Sequence, residues 1–416
     1  MKYAGIARVL LASAAGAVLC GAANAAEVEV VHWWTSGGEN AAVSVFADEF
    51  EAQTEHEWAD TAIAGGTNAR AAVMQRILGG DAPAAAQFNS GRQYEELIEG
   101  GLLLDLTELA EREGWRDFIR PESILTNACE KDGRVWCVPV NIHSWQWGWA
   151  SIPVFEQSGV PIPTNLQQFL EAAPKIQQAG FIPFAIGGET WQHTGAFNVA
   201  LVGIVGKENY YRLFRDRDAD YARSPEVATV FETWRELTSY TDEASANRNW
   251  NDTTNLVISD RAAMQIMGDW ARGEFAVAGK VPGVDYECIP GPSDTPFLTT
   301  DGDIFLFPKQ DDPEVEAAQL ELASLMISPR VQALFNVAKG SLPVRADVDM
   351  SLADSCMRKG LALLDDPNTV LTALNRFVTE DTTGQLNDLF AEFSFNQGLS
   401  VADAQERFAG IIETAD

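Results

Sequence analysis

The sequence predicts an α/β protein of two domains. Three observations carry this. The N-terminal part alternates short apolar or β-branched runs with amphipathic stretches in the order βαβαβ, which implies a parallel sheet covered by helices. Roughly 390 residues remain beyond an N-terminal leader, too many for one ordinary core. Apolar residues make up 46% of the chain, enough to fill two cores. No Pro/Ser-rich tether, internal repeat or low-complexity tract divides the chain, so the two domains are expected to exchange strands.

The leader comes first. Lys2 and Arg8 form a short positive region, followed by the apolar run "VLLASAAGAVLCGA" and then "ANA" at 23–25. This is the pattern of a secretory signal peptide over residues 1–25. Leu19 precedes Cys20 where a lipid-attachment motif wants a small residue. No other apolar run reaches the ~20 residues of a membrane-spanning helix.

Within the mature chain, "EVEVVHWW" reads as a strand and "NAAVSVFADEFEAQT" as a helix, with Val43, Phe46, Ala47 and Phe50 at helical spacing. A strand, the turn "AGGTN", the helix "ARAAVMQRILGG" and the strand "AAAQF" follow. Residues 164–179, 224–239 and 313–337 read as further helices, and "AAMQIMGD" and "DIFLFPK" as buried strands. Cys129 and Cys137 flank "EKDGR", whose Asp-Gly is a hairpin-turn signal. A 129–137 disulfide is therefore favoured in an exported chain. Cys288 and Cys356 would pair by elimination, and the other connectivities stay open. These spacings and the scattered histidines match no zinc site.

With 29 basic and 60 acidic residues the formal net charge is −31. Such a surface repels phosphate backbones and anionic lipid, which argues against nucleic-acid partners and membrane-surface binding.

The stretch "HWWTSGGE" shows what the surface does present. In open α/β sheets, ligands bind outside the carboxyl ends of strands, where glycine turns lead into helices. His32 to Ser36 occupy that position. Tryptophan faces suit C–H-rich ligands, and a carboxylate such as Glu39 gives charge-assisted acceptors for hydroxyls. Sugars need both. Adjacent strand residues point to opposite faces, so one of Trp33 and Trp34 can be core. The aromatic excess recurs at Trp145, Trp147 and Trp149, read as one face of a strand, and at Trp191 and Trp270.

These motifs together resemble a known family. "VVHWWTSGGE", "AGGTNARAAVMQRILGGDAPAAAQ", "VWCVPVNIHSWQWGW", "AAMQIMGDWARGEF", "TTDGDIFLFPK" and "KGSLPVR" are similar to the extracellular solute-binding proteins of ABC sugar importers, above all the glucose/mannose-binding branch. The resemblance implies a two-lobed periplasmic binding protein fold of the maltose-binding-protein type, with three segments crossing between lobes. Lobe 1 would hold residues 26–140 with 301–342, and lobe 2 residues 141–300 with 343–416. It also implies a periplasmic monomer that closes on a monosaccharide and hands it to permease subunits in the inner membrane. No cofactor, metal or catalytic residue is implied. Trp33, Trp34 and Glu39 match sugar contacts of the first loop. Gln87 matches a glutamine ending the third strand, and Trp270 the stacking platform of the second lobe. Asp303, with Asp301 beside it, matches the family's aspartate, and Lys339 a lysine that donates to sugar oxygens. His143, with Asn141, lies in a crossing strand.

The chain departs from the branch twice. Asn89 stands where a lysine is common, and Asn375 where a histidine is common. Amides keep hydrogen bonding but alter its geometry. Two rival readings remain: a receptor for an oligosaccharide or polyol, and an exported glycoside hydrolase using two carboxylates from Glu39, Asp301 and Asp303.

Overall fold

The computed structural model describes residues 25–416 apart from residue 122. The leader assignment therefore falls, but for Ala25, outside the described residues.

Two sheets form the body of the molecule. The first runs in the order Glu57–Ala62, Glu27–His32, Ala85–Asn89, Asp303–Leu306, Cys137–Pro139. Its first three strands are parallel, as the βαβαβ pattern predicts. Asp303–Leu306 then enters antiparallel to both its neighbours. It arrives from a distant part of the chain and not through a crossover helix, so nothing forces it to be parallel. The second sheet runs Tyr286–Pro290, Trp147–Ser151, Ala262–Met267, Ile182–Ala185 and mixes both pairings.

Each sheet has its own core. Val30, Phe46, Phe305 and Phe335 pack in one, which also takes in Val344, Ala353 and Met357. Phe184, Phe197, Trp234 and Phe390 pack in the other. A smaller cluster of Trp147, Trp149, Trp270 and Phe275 lies on the second sheet. Between the sheets three segments run side by side. Val140 N–H donates to Asp303 C=O (3.0 Å), His143 and Asp301 bond each other's backbones, and Ile142 and Leu342 do the same (2.7 and 2.9 Å).

Three expectations change. Residues 313–337 form two helices, Pro313–Met326 and Pro329–Lys339. Pro329 has no N–H and sterically blocks the preceding turn, so it starts a helix and does not continue one. The tryptophans at 145, 147 and 149 do not share one strand face. The strand begins at Trp147; Trp147 and Trp149 stack in the core with centroids 5.8 Å apart, while Trp145 precedes the strand. Glu39 lies in the first turn of the helix Gly37–Gln53 and not in a loop.

The cysteines pair as favoured. Asp132 and Gly133 both take positive φ (54° and 76°), as a two-residue hairpin turn requires. Cys129–Cys137 and Cys288–Cys356 form disulfides with Cα atoms 5.0 and 5.9 Å apart.

Candidate functional site

A cavity of about 810 Å³ is lined by residues of the first sheet, of segments that flank the second sheet and of the crossing segments. Trp33, Trp34, Glu39, Asn89, His143, Trp270, Asp301, Asp303, Lys339 and Asn375 all line it. Gln87 does not. It is 1% exposed and lies behind the wall, where its Nε2 donates to Asp303 Oδ1 (2.9 Å) and its Oε1 accepts from Trp33 N–H (3.0 Å).

Asp303 is the most heavily held group. Asn141 Nδ2 donates to its Oδ2 (2.8 Å), and its own N–H donates to Asn141 Oδ1 (2.7 Å). Asn141 thus serves the site from behind and is not part of the cavity wall. His143 stands between two carboxylates, with Nδ1 3.3 Å from Asp303 Oδ2 and Nε2 3.4 Å from Asp301 Oδ2. Burial disfavours charge on the imidazole, but the two carboxylates outweigh it and hold its pKa well above the usual histidine range. Burial likewise raises Asp301 and Asp303, yet the His143 charge and the hydrogen bonds pull both below the usual carboxylate range. Ser90 Oγ (2.7 Å) and Asn375 Nδ2 (3.1 Å) donate to Asp301 Oδ1. Asn375 also donates to Ser90 C=O (2.6 Å).

A second charged region surrounds Lys339. Its Nζ lies 5.6 Å from the centre of the Trp34 ring and 5.5 Å from that of Trp270, within cation–π range. Glu39 Oε1 lies 3.8 Å from this Nζ, longer than a hydrogen bond. Ser36 caps the helix, accepting from Glu39 N–H (3.4 Å) and donating to Glu39 Oε2 (3.0 Å). This is the N-cap half of an S-x-x-E start; the Glu39 carboxylate returns to the Ser36 hydroxyl and not to its backbone N–H. Burial pushes the Glu39 carboxyl up to about 7, against the pull of Lys339. Asp269, also raised to about 7 by burial, accepts from Ser144 N–H and Oγ through Oδ2 (2.9 and 3.0 Å). Glu274 Oε1 accepts from Gly38 N–H (2.7 Å) at the positive end of the same helix. Gly38 is obligatory there, because a Cβ would come within 2.5 Å of the Gly273 backbone.

The two adjacent tryptophans divide as strand geometry requires. Trp34 is 1% exposed and packs on Phe305 and Phe335, so it is core with an edge on the cavity. Trp33 is half-buried, with the Arg70 guanidinium 5.5 Å from its ring. Trp270, beside the His143 ring (5.3 Å), meets Trp145, Trp191 and Trp250 edge-on or tilted, at 5.0–6.4 Å.

Sequence reasoning missed Arg70, whose Nη1 donates to Asn89 Oδ1 (3.3 Å). It sits inside the amphipathic stretch "ARAAVMQRILGG", where a cation reads as solvated surface. Asp269 was missed because nothing local distinguishes it from the other acidic residues. Among the described residues no group of three or more His, Cys, Asp or Glu could hold a metal ion, and no helix is long and apolar enough to cross a membrane.

The wall combines ionised carboxylates, amides and aromatic rings, a chemistry that suits a hydroxyl-rich molecule. Residues 34–333 match the family described as bacterial extracellular solute-binding protein, and the chain belongs to that family. Its members bind solutes and do not transform them, which sets aside the hydrolase reading. A "probable sugar-binding periplasmic protein" of Rhizobium meliloti (strain 1021) is 37% identical over 84% of this chain and 83% of the relative. One of the same description from Brucella melitensis is 34% identical over 97% and 98%. Among solved structures, the bacterial solute receptor AcbH, reported to prefer β-D-galactopyranose exclusively, superposes with a TM-score of 0.77 at 17% identity, covering 93% of this chain and 98% of that one. A solute-binding protein bound to α-D-tagatose gives 0.73 at 18%, covering 94% and 99%. At such identity these structures speak to the fold alone, and they support the two-lobed α/β architecture.

Proposed function

We propose that this protein is the periplasmic sugar receptor of an ABC importer. It captures a glucose- or mannose-like monosaccharide between its lobes and delivers it, as a monomer, to permease subunits in the inner membrane. Lobe 1 comprises residues 26–140 with 301–342 and lobe 2 residues 141–300 with 343–416, with the correction that Val344, Ala353 and Met357 pack in the first core and go with lobe 1. The observation that carries this reading is the cavity wall itself: Asp303 locked as an ionised acceptor, the Trp270 ring beside His143, and the Lys339 ammonium between two indoles. The sugar-binding descriptions of the relatives at 34–37% identity support it.

In this reading Glu39, Asn89, Asp301, Asp303 and Lys339 bond the hydroxyls, and Asn375 orients Asp301. Trp33, Trp34 and Trp270 supply C–H contact. His143 and Gln87 fix the carboxylates without needing to touch the ligand. Binding proteins of this kind close by hinge rotation, and a ligand shifts that equilibrium only by its differential affinity for the closed form.

The test is calorimetry with glucose, mannose and galactose, read together with tryptophan fluorescence and scattering radius. A saturable hexose that compacts the protein and changes its fluorescence supports the reading. Hexose binding that survives Asp303→Ala and Trp270→Ala undiminished overturns the site.

A further inference from the structure

A cation on the cavity wall keeps most of its hydrogen-bonding capacity unspent. Arg70 lies in the helix Gly66–Gly79, lines the cavity and has a side chain 18% exposed. Among the described residues its guanidinium makes one hydrogen bond, from Nη1 to Asn89 Oδ1 (3.3 Å). The Glu380 carboxylate stands 3.9 Å from Nη2, beyond hydrogen-bond range. None of the Arg70 nitrogens is among the buried polar atoms without a partner. Its free N–H groups are therefore accessible, and they belong to a residue of the cavity wall. Burial lowers the Arg70 pKa against the pull of Glu380, yet a guanidinium stays charged at any working pH.

The surroundings hold this group in one place. The Trp33 ring lies 5.5 Å from its central carbon, within cation–π range. A Cβ on Gly66 would stand 3.1 Å from Nη1 and 3.3 Å from the Trp33 ring, so a glycine at the helix start lets cation and indole share the corner. Asn89 Nδ2 in turn donates to Asp303 Oδ1 (3.4 Å). The amide is thus held at both ends, between Arg70 and the ionised acceptor of the site. Glu380, which opens the helix Glu380–Phe395 of the second core, also accepts from Gln93 Nε2 (2.8 Å). Asp301, Asp303, Glu380 and Asp388 line the same cavity. Their charges disfavour an anionic ligand, which leaves a neutral hydroxyl as the acceptor that fits.

We propose that Arg70 is a ligand contact that determines specificity: its guanidinium donates to one ring hydroxyl of the bound hexose at the Trp33–Asn89 corner and so selects the configuration of that hydroxyl. The proposal rests on the reading of the cleft as a sugar site and adds a contact that reading does not contain. A hydrogen bond from a charged donor is roughly twice as strong as a neutral one. Its direction is set, because the indole, Gly66 and Asn89 hold the planar fork. An epimer that points this hydroxyl elsewhere leaves the cation unanswered in a closed cleft.

The experiment is calorimetry on the full mature chain, first with glucose, mannose and galactose, then with the monodeoxy analogues of the hexose that binds. Arg70→Met keeps an aliphatic stem beside Trp33 and removes the donors. It should weaken the hexose about tenfold or more. One monodeoxy analogue should bind the unaltered protein and the variant alike, within about twofold, while the others lose the same factor as the hexose. A residue that only supports the wall would cost every analogue equally, so a uniform loss overturns the proposal. A hexose affinity that stays within about twofold in the variant overturns it too. Apo melting curves verify folding; if Arg70→Met does not fold, Arg70→Lys, which loses the fork, is read the same way. Hexose binding without an analogue-selective loss removes this contact and leaves the sugar-site reading standing. Failure of all three hexoses to bind the unaltered protein overturns both.

Discussion

The cavity holds two buried carboxylate regions that differ in what surrounds them. Asp301 and Asp303 face His143 and a ring of amide and hydroxyl donors, and both stay ionised well into acid. Glu39 and Asp269 are equally removed from water, yet their carboxyls sit near neutrality at about 7. Burial pushes all four upward. The difference is that both oxygens of Asp303 have donors at short range and an imidazolium beside them, whereas Glu39 has one hydroxyl donor and a lysine at 3.8 Å, and Asp269 has donors on Oδ2 only, its Oδ1 being without a partner among the described residues. Neighbours at hydrogen-bond distance, more than depth, decide which acid carries charge.

Asp303→Ala should show the largest effect. It strands the His143 charge with one partner and removes the acceptor for Gln87 and Asn141. Breaking a buried pair costs ~3–5 kcal/mol, read as a fall in unfolding free energy by urea titration. A loss below ~1 kcal/mol would mean that the ring re-forms around Asp301. Lys339→Ala comes next. Losing a charged partner to a buried hydroxyl costs ~1–3 kcal/mol, so sugar affinity should fall about tenfold to a hundredfold, measured by calorimetry. An unchanged affinity would place Lys339 outside the ligand contacts.

The smallest effect is a slope. Folded Glu39 and Asp269 keep protons up to about pH 7, whereas the unfolded chain releases them near pH 4. The folded state binds more protons in that window, so stability falls as pH rises from about 4 to 7. Glu39→Gln should flatten this limb by at most ~1.4 kcal/mol per pH unit. The other region acts outside that window, with opposite sign at its acid end and the same sign at its alkaline end. Asp303 stability is lost as pH falls from about 4 toward 2, and His143 stability is lost as pH rises above about 6.5 toward 10. If Glu39→Gln leaves the pH 4–7 limb unaltered in melting curves, Asp269 alone carries it.

Much of this site was legible as residue types but not as partnerships. The motif "HWWTSGGE" placed Trp33 and Glu39 correctly at the cavity, because a strand end, a glycine turn and a helix start are local events. Trp34 could not be separated from Trp33 without knowing that Phe305 and Phe335 lie on its side, contacts about 270 to 300 residues away in sequence. Gln87 was identified by resemblance as a contact, yet its amide is spent on Asp303 and the Trp33 backbone. Asn141 was visible only as part of a crossing strand. Its two bonds to Asp303 depend on the antiparallel entry of Asp303–Leu306, which a βαβαβ pattern does not foretell. Helix boundaries set by Ser and Pro, such as Pro225–Thr238, were readable to within a residue. The break at Pro329 shows the cost of reading apolar periodicity past a proline.

The Cys288–Cys356 bridge joins the second sheet to the helix Ser355–Leu364, whose Met357 belongs to the first core. The closed covalent loop contains two of the three crossing segments. Under mechanical tension applied to the two chain ends, the 68-residue span between the cysteines stays hidden from the pulling force. Reduction would release roughly 225–245 Å of extra extension, at 3.3–3.6 Å per residue. A protein pulled in an oxidising medium should therefore give a shorter total rip length than the same protein pulled in reductant, by that amount for this loop alone. The two crossing segments inside the loop would then be shielded from tension for as long as the bridge holds.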